Sequence, residues 1–172
     1  MIDHRLKNFW LAELQQSAIF LEQRYRSSKW DDELEFKVEK AIFIGFYAIR
    51  KLLESKLLPP SVVGFNWKVT CYPKLSEPVE TLWLHHYNLA AGTEIKFGLK
   101  DICNQFIHSV HYSPFVPDGS FCVGFYFASD TASKNSIYYI QLVNVVNIFL
   151  SVANKKKINL SVRCSNNILS TK

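Results

Sequence analysis

The chain has 172 residues, 48% of them hydrophobic and 20% charged, with only 6 glycines and 6 prolines, which excludes disordered, collagen-like and low-complexity classes and suits a single folded domain. Its net charge of +5 is unevenly placed: residues 1–130 carry 14 bases against 15 acids, whereas beyond Asp130 six bases stand without an acid. Four cysteines (Cys71, Cys103, Cys122 and Cys164) lie far apart with no CxxC pair, which argues against zinc-ribbon, thioredoxin-like and disulfide-scaffold proteins.

Leu6, Trp10, Leu14, Ala18, Leu21 and Tyr25 recur at spacings of four and three, predicting a helix from about Asp3 to Arg26. Ser28 to Asp31 resembles a capping box opening a second helix, which Pro59-Pro60 ends. Within it, the run Ile42 to Tyr47 is apolar nearly all round and reads as a helix covered on several sides. The period then changes to two through Val63, Phe65, Trp67, Val69 and Cys71, a strand pattern with one buried face. Pro73 and Pro78 bracket a loop, and Val79 to Leu84 fits either a short strand or a helical turn.

Gly92-Thr93 offers a helix start, with Phe97, Leu99, Ile102, Phe106 and Val110 supporting a third helix to about Ser109, its apolar face toward the first two. Pro114 and Pro117-Asp118-Gly119, beside the apolar runs 115–116 and 121–127, predict a β-hairpin. Ser129 to Ser136 is a polar turn, and Ile137 to Leu142 returns as a strand, giving an antiparallel meander of about three strands. Leu142, Val145, Val146, Phe149, Leu150 and Ala153 fit a last helix, with a strand as competitor because of the β-branched residues. Ile158 to Val162 suits a further strand. The expected fold class is α+β: long N-terminal helices packed with a His108-bearing helix and a last helix beside a small antiparallel sheet, in one domain over residues 1–164, with 165–172 a flexible tail.

On a helix, Asp101, Asn104, His108 and His111 stand at offsets of zero, three, seven and ten, which aligns four polar groups on one face opposite Leu99, Ile102 and Phe106. An imidazole titrates near neutrality, and a carboxylate or amide one turn away orients it, so the stripe is a candidate acid–base site. The competing reading is a partly buried His108 hydrogen-bonded to Asn104, with Asp101 merely facing water.

The segment Cys103-Asn-Gln-Phe-Ile-His108 resembles the signature of HEPN domains, in which an Arg, usually followed by Asn, Asp or His, precedes a His on the same helix. Asn104 and His108 match, while Cys103 stands where that family places Arg. The upstream helix end Ile49-Arg50-Lys51-Leu52, with a hairpin and final helix downstream, is similar to small bacterial proteins carrying the same Cys-Asn-x-x-Ile-His segment. The resemblance implies a helical bundle, a dimer with paired motifs at its interface, and metal-independent RNA cleavage in a toxin or defence system. In that chemistry a 2′-hydroxyl attacks the adjacent phosphorus, so one group moves protons and a cation stabilises the developing charge. His108 suits the first task. A thiol cannot perform the second, so the charge must come from Arg50, from Lys100 or from a partner subunit. The alternative is a non-catalytic interaction or regulatory subunit, favoured by Cys103 and by an aromatic load of 13 Phe, 8 Tyr and 4 Trp large enough to include a subunit interface.

Other chemistry finds less footing. His85-His86 would point to opposite faces of a strand, with no Asp or Cys at short ligand spacing, so no metal is expected. Cys103 and His108 diverge around a helix, which removes a Cys–His nucleophilic pair. No P-loop, GxGxxG or GxSxG occurs, and no cofactor is expected. Lys100 and the run Lys155-Lys156-Lys157 are the candidate phosphate contacts, should the partner be RNA, with Tyr138, Tyr139 and Phe149 as stacking candidates. The start MIDHRLKNFW lacks a secretory pattern, and the longest apolar runs fall short of the roughly 20 residues that span a bilayer, so a cytoplasmic protein without membrane association is expected.

Overall fold

A computed structural model describes residues 4–24, 29–76, 82–117, 119 and 121–153. After a 3-10 turn at His4–Leu6, helix α1 runs from Lys7 to Arg24 and buries Leu14, Ala18 and Leu21, as the spacing predicts, while Leu6 at its start stays half exposed. Helix α2 (Asp32–Glu54) is opened by Asp31 itself, whose carboxylate accepts the Leu34 N–H at 2.9 Å. Ser28, the expected cap, lies outside the described residues.

Pro59-Pro60 does not end α2. The helix stops five residues earlier, where Lys56 turns left-handed with φ 55°. Its N–H reaches the Leu53 carbonyl and the Leu57 N–H reaches that of Leu52, each at 3.0 Å, closing a Schellman motif that seats the buried Leu57. The two prolines instead open the four-residue helix α3 (Pro60–Val63), where Pro60 needs no N–H partner. Val63 is thereby helical, Phe65 precedes the strand, and β1 runs from Asn66 to Pro73 with Trp67 and Val69 buried.

The largest correction concerns residues 93–98. They form β2 (Thr93–Gly98), antiparallel to β1 with Trp67 opposite Phe97 and Val69 opposite Ile95, and are not the start of a helix. Ile95 and Phe97 alternate with Glu94 and Lys96, a period of two that a helical reading of Phe97 with Leu99 overlooks. Helix α4 therefore covers only Leu99–Ile107, packing on α2 as its apolar face requires. The chain reverses at His108 into β3 (Ser109–Phe115), which pairs with β4 (Gly124–Ser129) as the expected hairpin. A short helix α5 (Asp130–Ser133) fills the polar turn, then β5 (Ser136–Gln141) leads into α6 (Leu142–Val152). The last element is a helix because Leu142, Val145, Val146, Phe149 and Leu150 bury on its packed side against α1 and the sheet, overriding weak propensity. The meander is thus part of a larger sheet: β1 pairs with β5, giving five antiparallel strands in the order β2-β1-β5-β4-β3.

The fold is α+β. Helices cover one face of the sheet, and a stack of rings joins the layers: Phe106 of α4 lies 4.2 Å from Phe46 of α2 and 4.2 Å from Phe127 of β4, nearly parallel to both. Gly45 lets the Phe149 ring approach so closely that a Cβ there would sit 2.2 Å from it. The opposite face is covered only in part, by a 3-10 turn at Trp83–His86 and by Tyr87, whose hydroxyl donates to the Ser133 carbonyl at 2.8 Å.

Candidate functional site

Helix α4 sorts its side chains by burial. Leu99, Ile102, Cys103 and Phe106 face the core, whereas Lys100, Asp101, Asn104 and Gln105 are exposed or half-buried. Cys103 has no exposure, and burial pushes its thiol well above the usual range, an effect that the nearby positive Arg50 only partly opposes. The side chain at this position is therefore a packing element. No cation could stand there without opening the core.

Arg50, near the end of α2, supplies a cation beside this helix from another direction. Its Nη1 donates to Asn104 Oδ1, and its Nε donates to Glu54 Oε1 at 2.7 Å. Lys51 also reaches Glu54, at 3.3 Å. Hydrogen bonds from Arg50 and then Lys51 hold the Glu54 carboxyl below the usual carboxylate range. With two bases against one acid, this patch keeps one net positive charge, and Arg50 itself is only 27% exposed.

His108 stands one turn beyond Asn104 as the C-terminal cap of α4, its N–H donating to the Asn104 carbonyl at 3.1 Å while its side chain is exposed. Its own carbonyl accepts the Asp130 N–H at 3.3 Å, which fixes the backbone at the reversal. The structure thus brings Arg50 onto Asn104, with the exposed His108 four residues further along at the end of α4.

Of the expected stripe, Asp101 keeps its helical offset from Asn104, at the far end of α4, and His111 leaves it. Asp101 belongs to the first turn, and its Oδ2 turns back to within 3.3 Å of where a Cβ on Gly98 would stand. A carboxylate there complements the helix N-terminus. Seven residues at about 1.5 Å each separate it from His108 by about 10 Å along the axis. His111 is not helical: it lies on β3, with its ring stacked 4.6 Å from Trp83 at 5°. Burial, then the positive fields of His86 and Lys74, hold His111 below the ordinary imidazole range. Lys100 is exposed on α4 near Asp101, away from His108, and Lys155, Lys156 and Lys157 lie outside the described residues.

Glu54 and Gln105 are the participants that sequence reasoning missed. Arg50 and Glu54 form an i,i+4 pair, which the spacing could have revealed. Gln105 Oε1 accepts the Ser129 N–H at 3.0 Å and ties α4 to the end of β4, a long-range contact with no local signature. His85 and His86 occupy the 3-10 turn and not a strand. Among the described residues, no three His, Cys, Asp or Glu side chains gather as metal ligands, and no helix is long and apolar enough to cross a membrane. The chain matches no family model, no curated protein and no solved structure.

Proposed function

We propose that Arg50, Asn104 and His108 form a phosphodiester site of the metal-independent RNase type in a HEPN-like protein of a bacterial toxin or defence system. The observation that supports this reading is the Arg50–Asn104 hydrogen bond, made four residues before the exposed His108 on the same helix. In the proposed reaction His108 takes the proton of a ribose 2′-hydroxyl as its oxygen attacks phosphorus. Arg50 stabilises the charge on the phosphorane, Asn104 aims Arg50, and the 5′-oxygen leaves with the proton that the His108 imidazolium returns, giving a 2′,3′-cyclic phosphate and a 5′-hydroxyl. Arg50 takes the part that Cys103 cannot. The fold departs from the helical bundle that the resemblance implies, since five strands flank these helices. The reading therefore rests on the site and not on the architecture.

The test is incubation of the purified protein with mixed RNA in a chelating buffer. Cleavage reduced about 100-fold or more by His108→Ala supports the reading, on the usual scale of general acid–base catalysis. No cleavage, or equal cleavage by the variant, removes it.

A second reading, a non-catalytic interaction subunit, is favoured by aromatic side chains left on the helix surface: Phe9, Phe36 and Tyr47 are 73%, 65% and 45% exposed. Tyr47 lies one turn before Arg50, so a homodimer or protein partner docking there would cover the same patch. A protein that light scattering finds monomeric at micromolar concentration, with no co-purifying partner, would not fit it. Free thiols at Cys71, Cys103 and Cys122 suit the reducing cytoplasmic setting of either reading.

A further inference from the structure

The partly covered face of the sheet holds a polar hollow of about 140 Å³, lined by Lys68, Thr70, Glu94, Tyr139, Gln141 and Asn144. Its origin is a residue with no side chain. Tyr139 and Gln141 share a face of β5, opposite Thr70 of β1 on one side and Gly124 of β4 on the other. A Cβ on Gly124 would lie 2.4 Å from the Tyr139 hydroxyl, so the ring lies over the bare backbone of β4. The sheet surface between Tyr139 and Thr70 is left uncovered as a result. Tyr126 and Phe115 hold the ring from behind, with centroids at 5.1 and 6.1 Å. The far wall is the Lys68–Glu94 ion pair at 2.9 Å.

We infer that this hollow binds a nucleobase. One wall is aromatic, which suits a flat ring by stacking. Its end carries two side-chain amides, Gln141 and Asn144, each presenting a donor and an acceptor in one plane, the complement of a base edge. At about 140 Å³ the space is on the scale of a cavity that takes one small ring and lies below that of a drug-sized pocket. The hollow lies on the sheet face opposite the helices that carry Arg50 and His108, and it stands independently of the reading proposed for them.

The experiment is a calorimetric or NMR titration of the full chain with adenosine, guanosine, cytidine and uridine, with short RNA oligomers as the second source of the same bases. Saturable binding of at least one nucleoside is expected, weakened about tenfold or more by Tyr139→Ala and retained within about threefold by Tyr139→Phe, since stacking needs the ring and not the hydroxyl. Gln141→Ala, at an exposed position, keeps the test decisive if Tyr139→Ala fails to fold, and it too should weaken binding. If oligomers bind and nucleosides do not, the hollow reads a backbone and the inference fails. No saturable binding, binding indifferent to Tyr139→Ala and Gln141→Ala, or equal binding of glucose would each overturn it.

Discussion

Along β4, Phe125 and Phe127 point toward the helices and are fully buried, while Tyr126 points the other way into a cluster with Tyr72, Tyr139 and Phe115. The same alternation on β5 sends Ile140 to the helix side and Tyr139 to the other. Both faces are aromatic, but they differ in covering. Four helices close the first, and the 3-10 turn with Tyr87 and the short helix α5 partly close the second. The residue types do not divide strictly between the faces: Tyr112 and Tyr138 pack on the helix side, where the enclosed Tyr112 hydroxyl finds no hydrogen-bond partner among the described residues, and Phe115 lies on the other.

Substitutions on the two faces test this contrast. The largest effect is expected from Cys103→Arg, which restores the residue of the HEPN signature. Cys103 is wholly enclosed on the helix side, so the variant would bury an unpaired charge at a cost of several kcal/mol. It should lose the cooperative unfolding transition seen by circular dichroism and gain no nuclease activity. A stable Cys103→Arg protein would show that the helix side is looser than described.

Next comes Phe106→Ala, which removes the middle ring of the Phe46–Phe106–Phe127 stack. Urea denaturation should register a loss of about 3–5 kcal/mol, the usual cost of emptying a buried phenylalanine site. Tyr126→Ala on the other face should cost distinctly less, because that site can admit water. Equal losses would erase the distinction between the faces.

A smaller effect follows from alkaline pH. Burial raises the Cys122 thiol from 9.0 to about 12 and the Tyr126 phenol from 10.0 to about 12. Each folded-state value lies above the unfolded one, so the neutral forms stabilise the fold fully below about pH 9. That contribution then falls as pH rises toward 12, by at most about 1.4 kcal/mol per pH unit for each group. Urea midpoints measured from pH 7 to pH 11 should be flat and then decline, and Cys122→Val should make the decline shallower without moving its onset, because the buried Cys103 thiol also loses its proton more readily when unfolded. A midpoint that holds constant to pH 11 would contradict the enclosure of Cys122.

The strongly periodic elements were legible in the sequence. Leu14, Ala18 and Leu21 mark α1, and the apolar runs 121–127 and 137–142, set off by turn residues, mark the central strands. The run 93–98 was not, because a six-residue alternation leading directly into a helix shares Phe97 and Leu99 with a helical period; only its pairing with β1 decides the matter. His111 was misplaced for a related reason: its offset of three from His108 assumes a continuous helix, and the chain reverses at His108 with φ −103°. Within the site, Asn104 and His108 could be read from one segment. Arg50 could be named for its charge, but its contact with Asn104 spans 54 residues and arises only when α2 packs on α4. The Tyr139 hollow had no local sign, since it depends on a glycine in the neighbouring strand.

The central claim is that Arg50 supplies the positive charge missing at Cys103. Its most direct test is single-turnover cleavage of RNA in a chelating buffer by the unaltered protein and by Arg50→Ala, with the product ends identified. The account predicts 2′,3′-cyclic phosphate ends and a rate at least about 100-fold lower for Arg50→Ala, as expected when a donor to a developing oxyanion is removed. An Arg50→Ala protein that cleaves as fast as the unaltered one, or an unaltered protein that leaves RNA intact, would contradict it.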